Sequence, residues 1–209
     1  MTDAVALGGS AITSYHLQWN SGDGTDTFTD LVGQEGSDYA STSYLLVAGV
    51  VSGTTYKFQL RAKNKWGFGG FSASAEITAS STPGTAAAPT TVISGSNVRV
   101  SWVAPLDYGS VITSYQVTVA TSASAFVEET VSCNGADAAI ITALACEIPL
   151  ATLRASPFSL AFDDTVSAKV VALNINGAGS ASAAGGAARI QTEPGAMAAP
   201  ARGSATTEV

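Results

Sequence analysis

Apolar and polar residues alternate one by one along much of this chain, and a helical spacing is nowhere sustained. In NVRVSWVAP, Val98 and Val100 fall on one face and Arg99 on the other, and YKFQLRA repeats the pattern from Tyr56. Because successive strand residues point to opposite faces of a sheet, this pattern predicts short, half-buried β-strands. Segments such as NSGDG, which follows Trp19, predict the turns between them.

The same alternation assigns side chains to the core or to solvent. His16 and Gln18 are predicted to face solvent, which favours a surface role for His16 over catalysis. SYLLVAGV, at residues 43–50, is predicted to be a further strand. The predicted inward positions of the first half are Tyr15, Leu17, Trp19, Tyr56, Phe58 and Leu60.

The chain repeats itself. GSAITSYHLQW (Gly9–Trp19) matches GSVITSYQVTV (Gly109–Val119) at an offset of 100, and the stretch from Tyr56 matches the stretch from Val166 at an offset of 110. The second copy therefore has ten extra residues, 110 minus 100, between these blocks. A third match, TPGTAAAP at residues 82–89 with EPGAMAAP at residues 193–200, has an offset of 111. The sequence thus contains two repeat units and the start of another.

These blocks resemble the fibronectin type III domain, over nearly the whole chain. The resemblance is carried by the Trp of VSWVAP, by GSVITSY, by VVSGTTYKFQLRAKNKWG with Tyr56 as a tyrosine corner, and by GFSAS. It implies an all-β fold of two tandem fibronectin type III-like β-sandwiches, with strands A, B and E in one sheet and C, C′, F and G in the other. The second unit departs from the pattern because Val166 stands where the first has Tyr56.

The repeat offsets divide the chain into one complete domain, one incomplete domain and the start of a further domain. Residues 83–192 are expected to hold a whole domain, with A near residues 87–93, B near 98–103 and C near 114–121. Residues 1–82 are expected to begin at or just before strand C, so the first domain lacks its own A strand and most of its B strand. Residues 193–209 resemble strands A and B of a following domain.

This arrangement predicts self-assembly. A domain without A and B leaves a sheet edge and core side chains open to another chain, so residues 193–209 of one molecule are expected to complete the first domain of the next. Such a contact is head-to-tail and propagates into an extracellular fibre. The predicted donor residues are Gly195, Met197, Ala199, Pro200 and Val209, and the predicted acceptor core is Trp19, Tyr44, Leu46, Tyr56 and Phe58.

Two alternatives to a fibre of separate chains stay open. If the C-terminus of one chain is aligned with the N-terminus of the next, the chain ends fall inside strand B, with Val209 at the position of Val100. A chain end inside a strand also fits a two-domain segment taken from one continuous tandem array. The second alternative is a two-domain adhesion or binding module excised from a longer tandem-repeat surface protein. The opening MTDAVALGGS lacks the basic start and apolar core of a secretion signal, so a mature or excised chain is expected.

The two cysteines give information on the cellular location of the protein. Cys133 and Cys146 lie in SCNGADAAIITALACEI, with no His or further Cys placed to complete a zinc site. A local disulfide that staples the ten-residue insertion is favoured over two free thiols, and a loop this short contributes about 3 kcal/mol in the chain-entropy model. A disulfide implies an oxidising compartment, so an extracellular or cell-surface location is expected.

Composition excludes several functions. The net charge is -7 and no Lys/Arg cluster is present, so nucleic acid is not an expected partner. No apolar run approaches the roughly twenty residues of a membrane-spanning helix. No catalytic residue, metal site or cofactor is expected, and the Ser/Thr density would allow O-linked sugars. KWGFGGF, with Trp66, Phe68 and Phe71, is interpreted as a partly packed turn between strands F and G rather than as an aromatic binding platform.

Overall fold

The computed structural model describes residues 9–192 and residue 197. Its first part contains one antiparallel sheet, called here the N-terminal sheet. The strands of this sheet are β1 (Ile12–Trp19), β2 (Thr29–Val32), β3 (Thr55–Asn64), β4 (Gly67–Phe68) and β5 (Ala75–Thr78). The strand order is β2-β1-β3-β4, and β5 pairs with β3. In fibronectin type III terms these are strands C′, C and F, with G split into two pieces.

The second part contains two antiparallel sheets, called here the C-terminal sandwich. Its elements are β6 (Thr90–Ser94), β7 (Asn97–Ser101), β8 (Ser114–Ala120), β9 (Phe126–Glu128), α1 (Ala138–Ala143), β10 (Ala145–Pro149), α2 (Leu150–Arg154), β11 (Ala168–Asn174) and β12 (Gly177–Ala178). One sheet has the order β10-β7-β6, corresponding to E-B-A, and the other has the order β12-β11-β8-β9, corresponding to G-F-C-C′. Among the described residues, no helix is long and apolar enough to span a bilayer.

The core of the C-terminal sandwich follows the alternation of the sequence. Val98 and Val100 of β7 are fully buried, whereas Arg99 between them is exposed. From the opposite sheet, Val117 and Val170 meet them in the same core. Strand residues two apart share a face, so one buried face per sheet is sufficient to hold the two layers together. The all-β prediction is confirmed.

Strand register reproduces the sequence repeat in both parts. In the N-terminal sheet Leu17 lies opposite Leu60, and in the C-terminal sandwich Val117 lies opposite Val170. These pairs are related by the offsets of 100 and 110 found in the sequence. The two parts therefore share one arrangement of strands C and F, and a position in one can be compared directly with its counterpart in the other.

The strand predicted from SYLLVAGV is absent, so that prediction is wrong. Residues 43–50 have no regular secondary structure, and Leu45 and Val47 are largely exposed. The reason is the missing neighbour. In the C-terminal sandwich the corresponding strand β10 pairs only with β7, and no counterpart of β7 pairs in the described part of the N-terminal sheet. A strand cannot form a ladder without a partner for its backbone N–H and C=O groups.

Candidate functional site

The inner face of the N-terminal sheet, which carries Leu17, Trp19, Phe58 and Leu60, is the candidate site. Leu60 is 47% exposed, although it lies in the middle of β3, a strand of 10 residues. Its counterpart Val170 is 0% exposed because the β10-β7-β6 sheet packs over it. The inner face is therefore built like a sandwich core, but none of the residues that the structure describes forms a second sheet over it.

A cavity of about 210 Å³ opens on this face. Its floor is formed by Tyr15 and Leu17 of β1 and Leu60 of β3. Its wall is formed by Tyr39 and residues 41–44, and the rings of Tyr39 and Tyr44 meet edge-to-face with centroids 6.1 Å apart. The cavity is mainly apolar and suits an apolar side chain from a chain lying across the sheet.

Tyr56 anchors one end of the inner face. Its hydroxyl accepts a hydrogen bond from the Val51 backbone N–H at 2.7 Å and donates one to the Gly49 carbonyl at 3.3 Å. Bonding back to backbone a few residues upstream is the pattern of a tyrosine corner. The Trp19 ring stacks on the Tyr56 ring, with centroids 5.3 Å apart. Tyr56 is buried, so this end of the face is closed by its own residues.

The structure brings together only part of the predicted acceptor core. Trp19, Tyr56 and Phe58 form one aromatic cluster, with the Trp19 and Phe58 centroids 6.5 Å apart. Tyr44 instead lies beside Tyr39 at the cavity wall, and Leu46 is half-buried in the segment that lacks a strand. Sequence reasoning omitted two central residues of the site, Leu17 and Leu60, although their alternation had marked both as inward. Tyr39 carried no such signal.

The predicted donor segment, residues 193–209, has its counterpart in the residues that lead into β6 and β7. Gly195, Ala199, Pro200 and Val209 lie outside the described residues, and Met197 is described as 92% exposed. The counterpart of Met197 at the offset of 111 is Ala86, which is buried on the path into β6. The donor role stays a prediction. The residues that match the donor segment lead into β6 and β7, which cover the core of the C-terminal sandwich.

The predicted disulfide is confirmed. Cys133 and Cys146 are bonded, and both are buried. Cys146 belongs to β10, whereas Cys133 lies in the insertion that leads to α1. The bond therefore fastens the extra residues of the second unit to its E strand, at the edge of the sheet. Nearby, the buried Glu129 carboxylate accepts hydrogen bonds from the backbone N–H groups of Val131 and Ser132.

The prediction that His16 faces solvent is wrong. His16 is on the outer face as expected, but it is only 3% exposed because Phe68 and Phe71 fold over it, with ring centroids 5.8 and 5.4 Å away. Its Nε2 lies 2.7 Å from an Asp30 carboxylate oxygen, and its Nδ1 accepts a hydrogen bond from Arg61 Nε at 3.1 Å. The ring is thus a structural hydrogen-bonding group.

Arg61 and Asp30 complete the covering of the outer face. The Arg61 guanidinium lies over the Phe68 and Phe71 rings, 4.3 and 4.5 Å from their centroids. Hydrogen bonds from Gln18 and His16 hold the pKa of the Asp30 carboxyl below its ordinary value. Phe68 and Phe71 are packed, as predicted for the F–G turn, whereas Trp66 is 79% exposed. The outer face is closed and the inner face is open.

Comparison with known proteins supports the resemblance. No family model matches the chain. The chain is 36% identical over 112 residues to chicken (Gallus gallus) fibronectin type-III domain-containing protein 3a, which is 53% of this chain and 9% of that protein. It is 38% identical over 73 residues to the human protein 3A, which is 34% of this chain and 6% of that protein. These relatives confirm the resemblance to fibronectin type III domains, and the matched part spans only a small fraction of their length.

Solved structures of multi-domain proteins also align with most of the chain. The FN1–FN3 domains of chicken CNTN1 align with 18% identity and a TM-score of 0.39, covering 84% of this chain and 56% of that one. A crystal structure of titin domains aligns with 14% identity and a TM-score of 0.42, covering 84% of this chain and 59% of that one.

Proposed function

We propose that this chain is a structural module that assembles head to tail into an extracellular fibre, with residues 193–209 of one copy covering the inner face of the N-terminal sheet of the next. The observation that carries the proposal is the open inner face, whose counterpart in the same chain is covered by β6, β7 and β10. Burying each large apolar side chain of that face stabilises by roughly 1.5 to 3 kcal/mol, so a covering strand pair has a substantial driving force.

The sequence repeat identifies the segment proposed as donor. EPGAMAAP, residues 193–200, matches TPGTAAAP, residues 82–89, and the latter leads directly into the strands β6 and β7 that cover the second core. Met197 replaces Ala86 in this match, so the donor carries a larger apolar side chain at a position that is buried in the template. Strand addition of this kind takes its affinity from main-chain hydrogen bonds and its specificity from alternate side chains.

The contact proposed here is between two different surfaces. A patch that binds a different patch on the next molecule does not close as a two-fold dimer, so association continues into a filament unless the rotation closes a ring. In the alternative of a continuous tandem array, peptide bonds join each two-unit segment to the next, and the proposed contact lies within one long polypeptide. Denaturing gel electrophoresis of natural material separates the two cases, because a band near 21 kDa excludes the continuous array.

Deleting residues 195–209 tests the proposal. We expect the deletion to abolish assembly in sedimentation velocity and electron microscopy while the C-terminal sandwich stays folded. A finer test is Met197→Asp, which places a charge at an inward donor position and is expected to block assembly. Ala198→Asp is the matched control, because its counterpart Ala87 is exposed, and it should assemble normally. Filaments that form unchanged after the deletion would contradict the proposal.

A second candidate is a binding or adhesion module of a longer tandem-repeat protein. It is favoured by one observation: the matched relatives are much longer than the aligned segment, which is 9% of the chicken protein. For either candidate we propose an extracellular or cell-surface location, supported by the Cys133–Cys146 disulfide. A monodisperse monomer at all concentrations in sedimentation velocity would favour the module over the fibre.

A further inference from the structure

The residues that lead into β6 lie close against the chain that follows β12 in the C-terminal sandwich. A Cβ placed on Gly179 would lie 2.4 Å from the Pro83 carbonyl oxygen, and one placed on Gly185 would lie 2.2 Å from the Pro89 carbonyl oxygen. No side chain fits at such distances, because the backbone oxygen already fills the space. The two segments therefore run side by side in the same direction, with glycine where their backbones meet.

The segment that leads into β6 buries every third residue, at Pro83, Ala86 and Pro89. This is the spacing of an extended polyproline II segment, in which three residues make one turn. The sequence from residue 193 keeps an apolar residue at each matching position, namely Pro194, Met197 and Pro200. Of these, only Met197 lies among the described residues. The donor sequence thus repeats the buried side of the segment that it matches.

Gly69, which follows β4, is the counterpart of Gly179 at the offset of 110. Its N–H donates to the Ala62 carbonyl at 2.9 Å, and the Gly179 N–H donates to the Ala172 carbonyl at 2.9 Å, so the two glycines hold equal positions on their sheets. Apart from chain neighbours, the only described atom within 4 Å of a Cβ on Gly69 would be the Ala62 carbonyl oxygen, at 3.8 Å. Among the described residues, Gly69 therefore has no equivalent of the backbone that lies against Gly179.

Ser72 and Ser182 show the same difference. The Ser72 N–H donates to the Leu60 carbonyl at 2.8 Å, and its Oγ accepts a hydrogen bond from the Leu60 N–H at 3.2 Å. Ser182 makes both bonds with Val170, at 2.9 and 3.0 Å. Ser182 is nevertheless buried, whereas Ser72 is exposed. Residues 69–72, called here the β4 edge, therefore have the backbone arrangement of a covered edge without a cover among the described residues.

We infer that the β4 edge is a second docking surface, and that its occupant is residues 194–197 of another copy of this chain. The incoming segment lies along the β4 edge as an extended chain, with the Pro194 carbonyl against Gly69 and Met197 on its buried side. This inference rests on the proposed head-to-tail assembly. It adds the contact that sets where, and in which direction, the donor reaches the N-terminal sheet before it crosses the inner face.

The likeness between the two edges ends at Ala75, the counterpart of Gly185. In the sandwich, the Pro89 carbonyl oxygen lies 2.2 Å from where a Cβ of Gly185 would be, and Ala75 has a Cβ at that place. The donor therefore cannot follow the path of its counterpart as far as Pro200. The docking surface stops after Ser72, and the donor leaves the edge there.

Gly69→Ala tests the inference. The added methyl group has room within the described chain, but at the close approach seen for Gly179 it would collide with the donor backbone. We expect the N-terminal sheet to keep its stability and assembly to weaken about tenfold or more in sedimentation velocity. Gly70→Ala is the matched control: a Cβ there meets no described atom within 4 Å, and its counterpart Ser180 carries an exposed side chain, so it should assemble as the parent does.

Gly179→Ala tests the close approach within one chain. The methyl group should displace residues 83 and 84 and lower the unfolding temperature of the C-terminal sandwich, because a Cβ there lies 2.4 Å from the Pro83 carbonyl oxygen. The N-terminal sheet should unfold as it does in the parent. A sandwich as stable as that of the parent would show that the approach does not restrict this position, and it would overturn the inference.

Two synthetic peptides locate the contact. A chain that lacks residues 195–209 is titrated with peptides of residues 193–209 and 198–209. Gly69→Ala should weaken binding of the longer peptide about tenfold or more, whereas the shorter peptide should bind more weakly and with an affinity that Gly69→Ala changes by less than about twofold. Only the longer peptide contains the residues that pass Gly69.

The outcomes separate this inference from the proposed function. Equal binding of the longer peptide to the Gly69→Ala and Gly70→Ala chains would overturn the inference, and so would an equal weakening of both peptides by Gly69→Ala. In either case, loss of assembly on deleting residues 195–209 would leave the proposed function standing. A parent chain that never assembles, together with a deleted chain that binds neither peptide, would overturn both.

Discussion

Tyr56 is the residue that most directly holds the loop before β3 against the N-terminal sheet. Its hydroxyl bridges Val51 and Gly49, and its ring stacks on Trp19, so one side chain fixes both a turn and part of the inner face. The C-terminal sandwich manages without this bridge, since Val166 lies at the same position within a fully covered core. An open sheet depends more on such local bonds because it has less buried apolar area.

We predict that Tyr56→Phe destabilises the N-terminal sheet by about 1 kcal/mol, because the part-buried hydrogen bonds to the Val51 N–H and the Gly49 carbonyl are lost. Urea unfolding followed by Trp19 emission would measure this change. Tyr108→Phe is the control, because Tyr108 is 37% exposed in a loop of the sandwich, and it should change stability by less than about 0.5 kcal/mol. Equal effects of the two changes would show that the Tyr56 hydroxyl bridge contributes nothing.

His16 shows what a sequence pattern can and cannot decide for a single residue. Alternation placed His16 correctly on the face opposite Leu17, because side-chain direction in a strand is a local property. Whether that face is covered depends on Phe68, Phe71 and Arg61, which approach from about fifty positions away. No local pattern reports that approach, so exposure was predicted wrongly while orientation was right.

Among the elements, the insertion of the second unit depends most on one covalent bond. Residues between β9 and β10 contain only α1 as regular structure, and no α1 residue is buried. The Cys133–Cys146 bond closes a loop with a sequence separation of 13 and fastens it to β10. The insertion also contacts the sandwich without this bond: Ile140 and Ile141 pack against the core, and the Gly135 carbonyl accepts a hydrogen bond from the Tyr115 N–H at 2.9 Å.

We predict that the double change Cys133→Ala and Cys146→Ala destabilises the C-terminal sandwich by about 3 kcal/mol, the chain-entropy value for a loop of this size. The N-terminal sheet should be unaffected, because both cysteines lie in the core of the sandwich. Calorimetry with and without reductant measures the effect, and the alanine variant should be insensitive to reductant. A loss of stability spread equally over both parts would contradict this assignment.

Strand prediction succeeded where partners exist and failed where they do not. Strands A, B and C of the second unit were anticipated near their observed positions, because alternation and the repeat agreed there. SYLLVAGV has the same apolar character, yet it is irregular because a strand is completed by a neighbour and not by its own sequence. We attribute the difference to the neighbour: among residues 9–192 no counterpart of β7 pairs with this segment, and such a counterpart is what the proposed donor would supply.

In the whole molecule, the open face and the segment proposed to cover it lie at opposite ends of the sequence. One open face lies in its first part, and the sequence that matches the cover of that face begins at residue 193. The net charge of -7 opposes association of identical chains at long range, so the proposed contact would depend on short-range burial of apolar surface. In a head-to-tail contact, the inner face and the donor segment can be blocked by separate changes. This property distinguishes it from a two-fold symmetric dimer and from non-specific aggregation.

We predict that two chains with opposite defects form one heterodimer and then stop. Leu60→Lys puts a charge on the inner face and leaves the donor intact, whereas deletion of residues 195–209 leaves the face intact and removes the donor. Each variant alone should be monomeric in sedimentation velocity, and an equimolar mixture should give a 1:1 complex without longer species.

Gln59→Lys is the control for the first variant, because Gln59 precedes Leu60 in β3 and strand alternation places it on the opposite, outer face; it should assemble as the parent does. A symmetric contact would leave both variants monomeric when mixed, because each would bring one defective surface to the same two-fold interface. Non-specific association through the apolar face would instead let the deletion variant aggregate alone. Only donation from one chain to the next yields a complex that terminates at two subunits.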